Sequence, residues 1–263
     1  MRASSIRRAA IAALLQLSLL ALLATLLAGC IGRDRGARKK DAEIHYDLGV
    51  DAFHKKDTAT ALKELMKAQE FDPTDPHIPN VMGLVFLGRE MFGKAEENFE
   101  KALVLDPKMS DAWNNLGALY IQLGRWDNAI EACDKARTDV LYPHPWLPLG
   151  NIGWAYFKKG DLKQAKHFLM KAVQQRPVFC RGWEHLGQVY LATGDLRAAE
   201  QALTKAIEKC PKFRFQEAHF HLAVCLQRLG RAEDAKKQLE LCAEAAPESE
   251  LGLKCQRMLG DGG

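Results

Sequence analysis

The sequence predicts an all-α protein built as a solenoid of six repeated helix pairs. Six alanines recur at intervals of 34, 34, 36, 34 and 36 residues, namely Ala61, Ala95, Ala129, Ala165, Ala199 and Ala235. A small residue stands twelve positions before each of them: Gly49, Gly83, Gly117, Gly153, Gly187 and Ala223. A fixed period of this length indicates stacked supersecondary units. Such stacks bind partners on a surface, so function is expected there.

Each period contains two amphipathic helices separated by a breaker. Larger apolar residues recur at steps of three and four, which gives each helix one buried stripe. The first helix ends at a glycine in four periods, at Gly124, Gly160, Gly194 and Gly230. The second helix is closed by a proline, which lacks the N–H needed to extend a helix, at Pro73, Pro107, Pro177, Pro211 and Pro247.

The larger residues follow a recognisable order. The third period reads Trp113, Leu116, Gly117 and Tyr120, and the fifth reads Trp183, Leu186, Gly187 and Tyr190. This order resembles the tetratricopeptide repeat (TPR), W-x2-L-G-x2-Y. The resemblance implies a right-handed α-solenoid with six repeats at 42–75, 76–109, 110–143, 146–179, 180–213 and 216–249. Residues 250–263 are expected to form a capping helix and tail.

The N-terminus predicts the compartment. A basic start and an apolar run over residues 1–29 are typical of a cleaved signal peptide, although the run is also long enough for a membrane-spanning helix. Leu27-Ala28-Gly29-Cys30 resembles the bacterial lipobox, which implies cleavage before Cys30 and its acylation. Residues 31–41 would then be a polar tether. Because Ile31 is not aspartate, the resemblance favours the outer membrane, facing the periplasm.

Composition excludes several classes of function. Loss of the signal removes three of the 37 basic residues and leaves 34 against 33 acidic ones, so no nucleic-acid partner is expected. No nucleophile elbow, zinc-binding helix or phosphate loop occurs, and we expect neither an enzyme nor a cofactor, metal or small-molecule substrate. His219 and His221 are expected on the surface or in packing contacts.

Six cysteines follow Cys30, which suits an oxidising compartment. The repeat geometry favours the disulfides Cys180–Cys210 and Cys242–Cys255, and Cys133 and Cys225 are expected as buried thiols. The alternative is that all six are reduced core residues.

The inner face of the first helices usually lines a groove in TPR proteins, and here that face is mostly apolar. By repeat position, the predicted groove residues are Tyr46, Val50, Phe53, Leu84, Leu87, Ile121, Trp154, Phe157, Leu191, Phe220 and Val224. An exposed apolar strip indicates a protein partner, whereas a tightly curled solenoid would cover it. Asn80 and Asn114 alone resemble a carboxylate clamp, and its lysines are missing.

The first 36-residue interval contains a loop with Tyr142 and Pro143. Six repeats, a lipobox and this loop together resemble the pilotin family of TPR lipoproteins (PilF, PilW and Tgl), and residues 151–160 look closest to the Tgl-like branch. The resemblance implies binding of secretin subunits and promotion of their outer-membrane assembly in type IV pilus biogenesis. The alternative is a lipoprotein scaffold for another envelope complex, in cell-wall remodelling or polysaccharide export.

Overall fold

The computed structural model describes residues 36–209 and 215–260. Thirteen helices and no strand occur in these ranges, so the all-α prediction is confirmed. The chain divides into two compact units, with the boundary between Met91 and Phe92. The predicted signal peptide and Cys30 lie outside the described residues.

Unit 1 contains three helices around a small apolar core. Helix α1 includes residues 36–54, and it is followed by α2 (Thr58–Phe71) and α3 (His77–Gly88). Leu65 and Val85 are completely buried in this core. The helix begins earlier than the sequence predicted, since residues 36–41 of the expected tether are helical. Arg38 explains part of this difference, because its Nη2 donates a hydrogen bond of 2.9 Å to the carbonyl of Glu70 on α2.

Unit 2 is a stack of helix pairs. Its helices are α4 (Phe92–Leu105), α5 (Ser110–Gln122), α6 (Trp126–Ala136), α7 (Trp146–Lys158), α8 (Leu162–Gln175), α9 (Cys180–Thr193), α10 (Leu196–Lys209), α11 (Gln216–Arg228), α12 (Ala232–Ala245) and α13 (Glu250–Gly260). Within unit 2, each helix contacts the next one along the chain, both inside a pair and between consecutive pairs. The first helices also contact each other in the order α5, α7, α9, α11 and α13. This packing is the repeat stacking that the sequence period predicts.

The recurring glycines let the two helices of a pair approach closely. A Cβ atom at Gly153 would lie 2.6 Å from Leu169 Cγ and 3.2 Å from the carbonyl oxygen of Ala165. At Gly187 it would lie 2.5 Å from Leu203 Cγ. The twelve-residue spacing of glycine and alanine therefore marks the contact point between antiparallel helices.

The turn inside each helix pair needs a left-handed backbone. Gly124, Gly160, Gly194 and Gly230 all have φ between 71° and 84°. In unit 1, the same repeat position is occupied by Lys56 (φ 63°), between α1 and α2, and by Glu90 (φ 57°), after α3. Side chains are disfavoured in this region, so these two turns are strained.

The last helix, α13, covers the apolar end of α12 as predicted. Phe220, Leu251 and Met258 pack against the buried cluster that contains Leu239. A disulfide bond joins Cys242 on α12 to Cys255 on α13, with Cα atoms 6.2 Å apart. The cap is therefore held both by apolar packing and by a covalent bond.

Candidate functional site

The predicted groove residues lie on the first helices of both units. In unit 1, Tyr46, Val50 and Phe53 are on α1, while Leu84 and Leu87 are on α3; all five are half-buried. The first three pack against the core of that unit. They are therefore partly structural, and less accessible than an open groove would require.

In unit 2 the predicted residues form what we call the apolar face: Ile121, Trp154, Phe157, Phe220 and Val224. All five are half-buried. Leu191 does not belong to this face, because it is only 8% exposed and packs in the core with Leu222 and Leu226. The surface is thus less exposed than predicted, since aromatic neighbours cover each other.

Trp154 is at the centre of the aromatic contacts on the apolar face. Its ring stacks on Phe157 of the same helix at 5.0 Å and on His185 of α9 at 3.9 Å between centroids. Lys158 Nζ lies 4.7 Å from the centroid of the Trp154 ring. These contacts hold a large amphipathic ring in a defined orientation, which suits a binding surface.

A polar ladder joins the first helices beside the apolar face. Asn151 Nδ2 on α7 donates a hydrogen bond of 3.1 Å to Asn114 Oδ1 on α5. Two repeats later, His221 Nδ1 on α11 lies 2.8 Å from Glu184 Oε1 on α9. Both pairs are separated by 37 residues and occupy the same two repeat positions. This ladder was not predicted, although polar residues interrupt the apolar stripe at the same two repeat positions in both pairs.

Glu184 is a buried carboxylate, only 3% exposed. Burial by itself raises its pKa, but the close contact with His221, the neighbouring His185 and the amide of Gln188 outweigh this effect and lower the pKa. Gln188 Nε2 donates to Glu184 Oε1 at 2.6 Å. The carboxylate is therefore ionised at neutral pH and shared between two repeats.

His185 is in the opposite situation. Burial lowers its pKa to about 4, and the positive charges of Arg181 and Lys158 act in the same direction, against the attraction of Glu184. Its Nδ1 is buried and has no hydrogen-bond partner among the described residues. The imidazole is therefore neutral at pH 7 and provides a flat, uncharged stacking surface for Trp154.

The loop between α6 and α7 is built around Tyr142, which is 5% exposed. Its hydroxyl donates a hydrogen bond of 2.9 Å to Asp111 Oδ1. Burial and the charge of Asp111 both raise the pKa of Tyr142, so the phenol stays protonated. His144 packs edge-on between Tyr142 and Trp146. Pro143, the other residue expected to mark this loop, is exposed.

The cysteines that the sequence singled out, and His219, are buried where the structure describes them. Cys133 and Cys225 are buried free thiols. Cys180 is disulfide-bonded, but its predicted partner Cys210 lies outside the described residues, so that pairing stays a prediction. His219 Nδ1 lies 2.8 Å from Gln238 Oε1 and thus has a different partner from His221.

Metal-ligand clusters and membrane-spanning helices are both absent from residues 36–209 and 215–260. No group of three or more His, Cys, Asp or Glu side chains in these ranges is arranged to hold a metal ion. Within the same ranges, every helix is too short or too polar to cross a bilayer.

Comparison with protein families gives three overlapping matches, all described as tetratricopeptide repeat. They cover residues 108–177, 151–212 and 190–254. Together they extend without interruption from the third predicted repeat into the capping helix.

Two curated relatives illustrate the range of similar proteins. The type IV pilus assembly protein PilF of Pseudomonas aeruginosa is 27% identical over 164 residues, which are 60% of this chain and 65% of PilF. The peroxisomal targeting signal receptor of Kluyveromyces lactis is 30% identical over 116 residues, 44% of this chain. The chain spans slightly less than two thirds of PilF and 20% of the receptor.

Solved structures with the same fold include two pilus proteins. PilW, a widely conserved type IV pilus biogenesis factor, superposes with a TM-score of 0.73 at 22% identity, covering 81% of this chain and 97% of PilW. Pseudomonas aeruginosa PilF gives 0.73 at 18% identity, covering 84% and 99%. At these identities the likeness demonstrates the fold alone.

Proposed function

We infer a protein-binding function for this chain, which belongs to the tetratricopeptide repeat family. The observation that carries the inference is the apolar face of unit 2, where Trp154 is held between Phe157 and His185. Half-buried aromatic rings of fixed orientation lose little conformational entropy when a partner covers them. A protein segment that lays apolar side chains across α7, α9 and α11 would bury this face.

The partner that we propose is a secretin subunit of the outer-membrane pore of a type IV pilus. Similarity to PilF, a type IV pilus assembly protein, supports a role in pilus biogenesis. The six-repeat pattern, lipobox and Tyr142 loop support the pilotin resemblance. A scaffold for another envelope complex would use the same face with a different partner.

Anchoring at Cys30 belongs to the same proposal. The basic start, apolar run and Leu27-Ala28-Gly29-Cys30 support acylation and attachment to the periplasmic side of the outer membrane. Several acyl chains anchor firmly, because each buried methylene contributes about 0.8 kcal/mol. The anchor would hold the apolar face close to the membrane in which the pore assembles.

The proposed mechanism is protection of an unassembled subunit. A secretin monomer exposes strand edges and apolar surface that become buried only in the multimer, and such surfaces aggregate. Binding across the apolar face would cover an apolar segment until neighbouring subunits replace the chaperone.

Deletion of the gene tests the function, with membranes blotted for heat-resistant secretin multimers and cells scored for twitching. We expect multimers to be lost and twitching to stop. Unchanged multimers with normal twitching would reject the secretin role and leave the envelope-scaffold alternative.

Complementation then tests the apolar face. Trp154→Glu and Phe157→Glu should each fail to restore multimers, because covering a carboxylate with an apolar partner segment costs its hydration. Trp126→Glu is the matched control, since Trp126 is also half-buried but begins α6, a second helix of its pair. Circular dichroism must show equal helicity in all three variants. Full complementation by both face variants would contradict the assigned face.

A further inference from the structure

The loop between α6 and α7 presents an apolar tip that the proposed partner site does not use. Val140 is 94% exposed and its neighbour Leu141 is 85% exposed, the two highest values for large apolar side chains in the part of the chain that the structure describes. Adjacent aliphatic side chains in water are unfavourable unless another surface covers them. The tip is therefore a candidate for contact with another apolar surface.

The exposure of the tip is imposed by the fold around it. Leu141 N donates a hydrogen bond of 2.8 Å to Asp139 Oδ1, which shapes the turn. The next residue, Tyr142, is buried and bonded to Asp111 on α5. At the other end, Arg176 lies over the ring of Trp146 at 5.1 Å. Both ends of the loop are thus held by contacts within unit 2. These contacts keep Val140 and Leu141 directed away from the core.

A basic cleft of about 440 Å³ adjoins the base of the loop. Its lining contains no acidic side chain and comprises Arg137, Pro145, Leu149, Lys171, Gln174 and Gln175. Asp134 pairs with Arg137 Nε at 2.6 Å. Lys171 has no carboxylate within ion-pair distance among the described residues. An anion entering the cleft would meet an uncompensated ammonium group and two amide side chains.

We propose that the apolar tip and the basic cleft together form a contact site for an anionic phospholipid surface. The tip enters the boundary between headgroups and acyl chains, and a lipid phosphate occupies the cleft beside Lys171. Cationic side chains next to an apolar element are the combination that interfacial membrane contacts use. Two side chains are far short of the roughly 800 Å² per partner of a stable protein interface, which favours the membrane over a second protein.

The contact would orient unit 2 on the bilayer. A lipid at Cys30 would restrain the distance of the chain from the membrane, but a single attachment point does not fix which side of unit 2 faces the bilayer. A second attachment point at Leu141 presents the same side of unit 2 to the bilayer each time. The inference rests on the proposed acylation of Cys30, and it is independent of the partner bound at the apolar face.

A photoactivatable residue at the tip provides the test. The full chain, processed and acylated, carries benzoylphenylalanine in place of Leu141 and is reconstituted in vesicles of phosphatidylethanolamine and phosphatidylglycerol. Irradiation should produce lipid adducts, identified by mass, in at least about fivefold higher yield than the same probe in place of the exposed Lys236 on α12. Equal yields at the two positions, or none at Leu141, would overturn the proposal.

A charge variant tests the cleft in the same preparation. Lys171→Gln should lower the adduct yield at position 141 by about fivefold, because one cation near an anionic surface contributes about 1 kcal/mol. Lys236→Gln is the matched control and should leave the yield unchanged. Phosphatidylcholine vesicles should give the low yield with either variant; a high yield there would overturn the role of the cleft.

Irradiation of living cells separates the membrane from a protein partner. Lipid adducts at position 141 are expected, whereas a discrete protein-sized adduct would replace this proposal with a protein interface. The mass of the same purified chain reports acylation of Cys30. If Cys30 is acylated and the tip gives no lipid adduct, the tip proposal fails while the proposed function stands.

Discussion

Trp154 of one repeat and His185 of the next stack face to face, with ring centroids 3.9 Å apart and planes inclined by 12°. The contact joins α7 to α9 at the centre of the apolar face. It depends on a neutral imidazole, because a charged ring would have to be desolvated at this position. The packing of the apolar face and the protonation state of His185 are therefore coupled.

The first prediction concerns the stability of the folded chain at acidic pH. The folded-state pKa of His185 is lowered to about 4 from an ordinary value of 6.5, so the unfolded chain binds more protons and stability falls as pH drops through this window. Between pH 8 and pH 5 the loss should be about 2 kcal/mol in the free energy of unfolding. Urea titrations should show a flatter pH dependence for His185→Phe, which keeps a stacking ring.

His167→Phe is the control for this prediction, because His167 on α8 is exposed to solvent. Its pH dependence should match that of the unmodified chain. An identical pH dependence for His185→Phe would show that His185 is not the group responsible.

The second prediction concerns the close approach of paired helices. Gly153→Ala should cost about 2–3 kcal/mol, because its Cβ would lie 2.6 Å from Leu169 Cγ and 3.0 Å from the backbone nitrogen of the same residue. Gly93→Ala places a methyl group in a helix with no atom within 4 Å, so it should be neutral or stabilise by up to about 1 kcal/mol. Thermal unfolding of both variants checks the contrast, and equal effects would contradict the packing argument.

The third prediction concerns the strained turns. Lys56→Gly and Glu90→Gly should each stabilise the protein by about 1 kcal/mol, because both side chains are exposed and both residues have positive φ. Gly194→Ala should destabilise by a similar amount, since the same backbone conformation there has φ 79°. Chemical denaturation measures all three. A loss of stability in Lys56→Gly would mean that the lysine side chain contributes more than the turn strain costs.

The fourth prediction concerns the capping helix. Cys242→Ser with Cys255→Ser should lower the stability of the α12–α13 packing by roughly 2–4 kcal/mol, because the short loop between them is no longer closed in the unfolded chain. Amide exchange should rise over Glu250–Gly260 and change little in α7 and α8. Protection of α13 equal to that of the unmodified chain would show that apolar packing alone holds the cap.

Local features of the fold were predictable because each repeat encodes them independently. The interval between Gly153 and Ala165 predicts a close helix contact, and the glycines at positive φ predict the turns. Lys56 and Glu90 were not recognised at the same turn position, because neither residue type signals a left-handed backbone. The early start of α1 was also missed, because the contact of Arg38 with the carbonyl of Glu70 links residues 32 apart.

The class of the protein can be read from its sequence: helix pairs of fixed period, their breaks, an apolar inner stripe and a segment before the first repeat that resembles a lipobox. Three features required the three-dimensional packing: the accessibility of that stripe, the contact of Glu184 with His221 between two repeats, and the place of Leu191 in the core. The structure also revealed that Val140 and Leu141 remain in solvent while Tyr142 is buried. The reason is physical: periodicity places a side chain on one side of its helix, but burial, pKa and exposure depend on atoms that distant residues bring within a few ångströms.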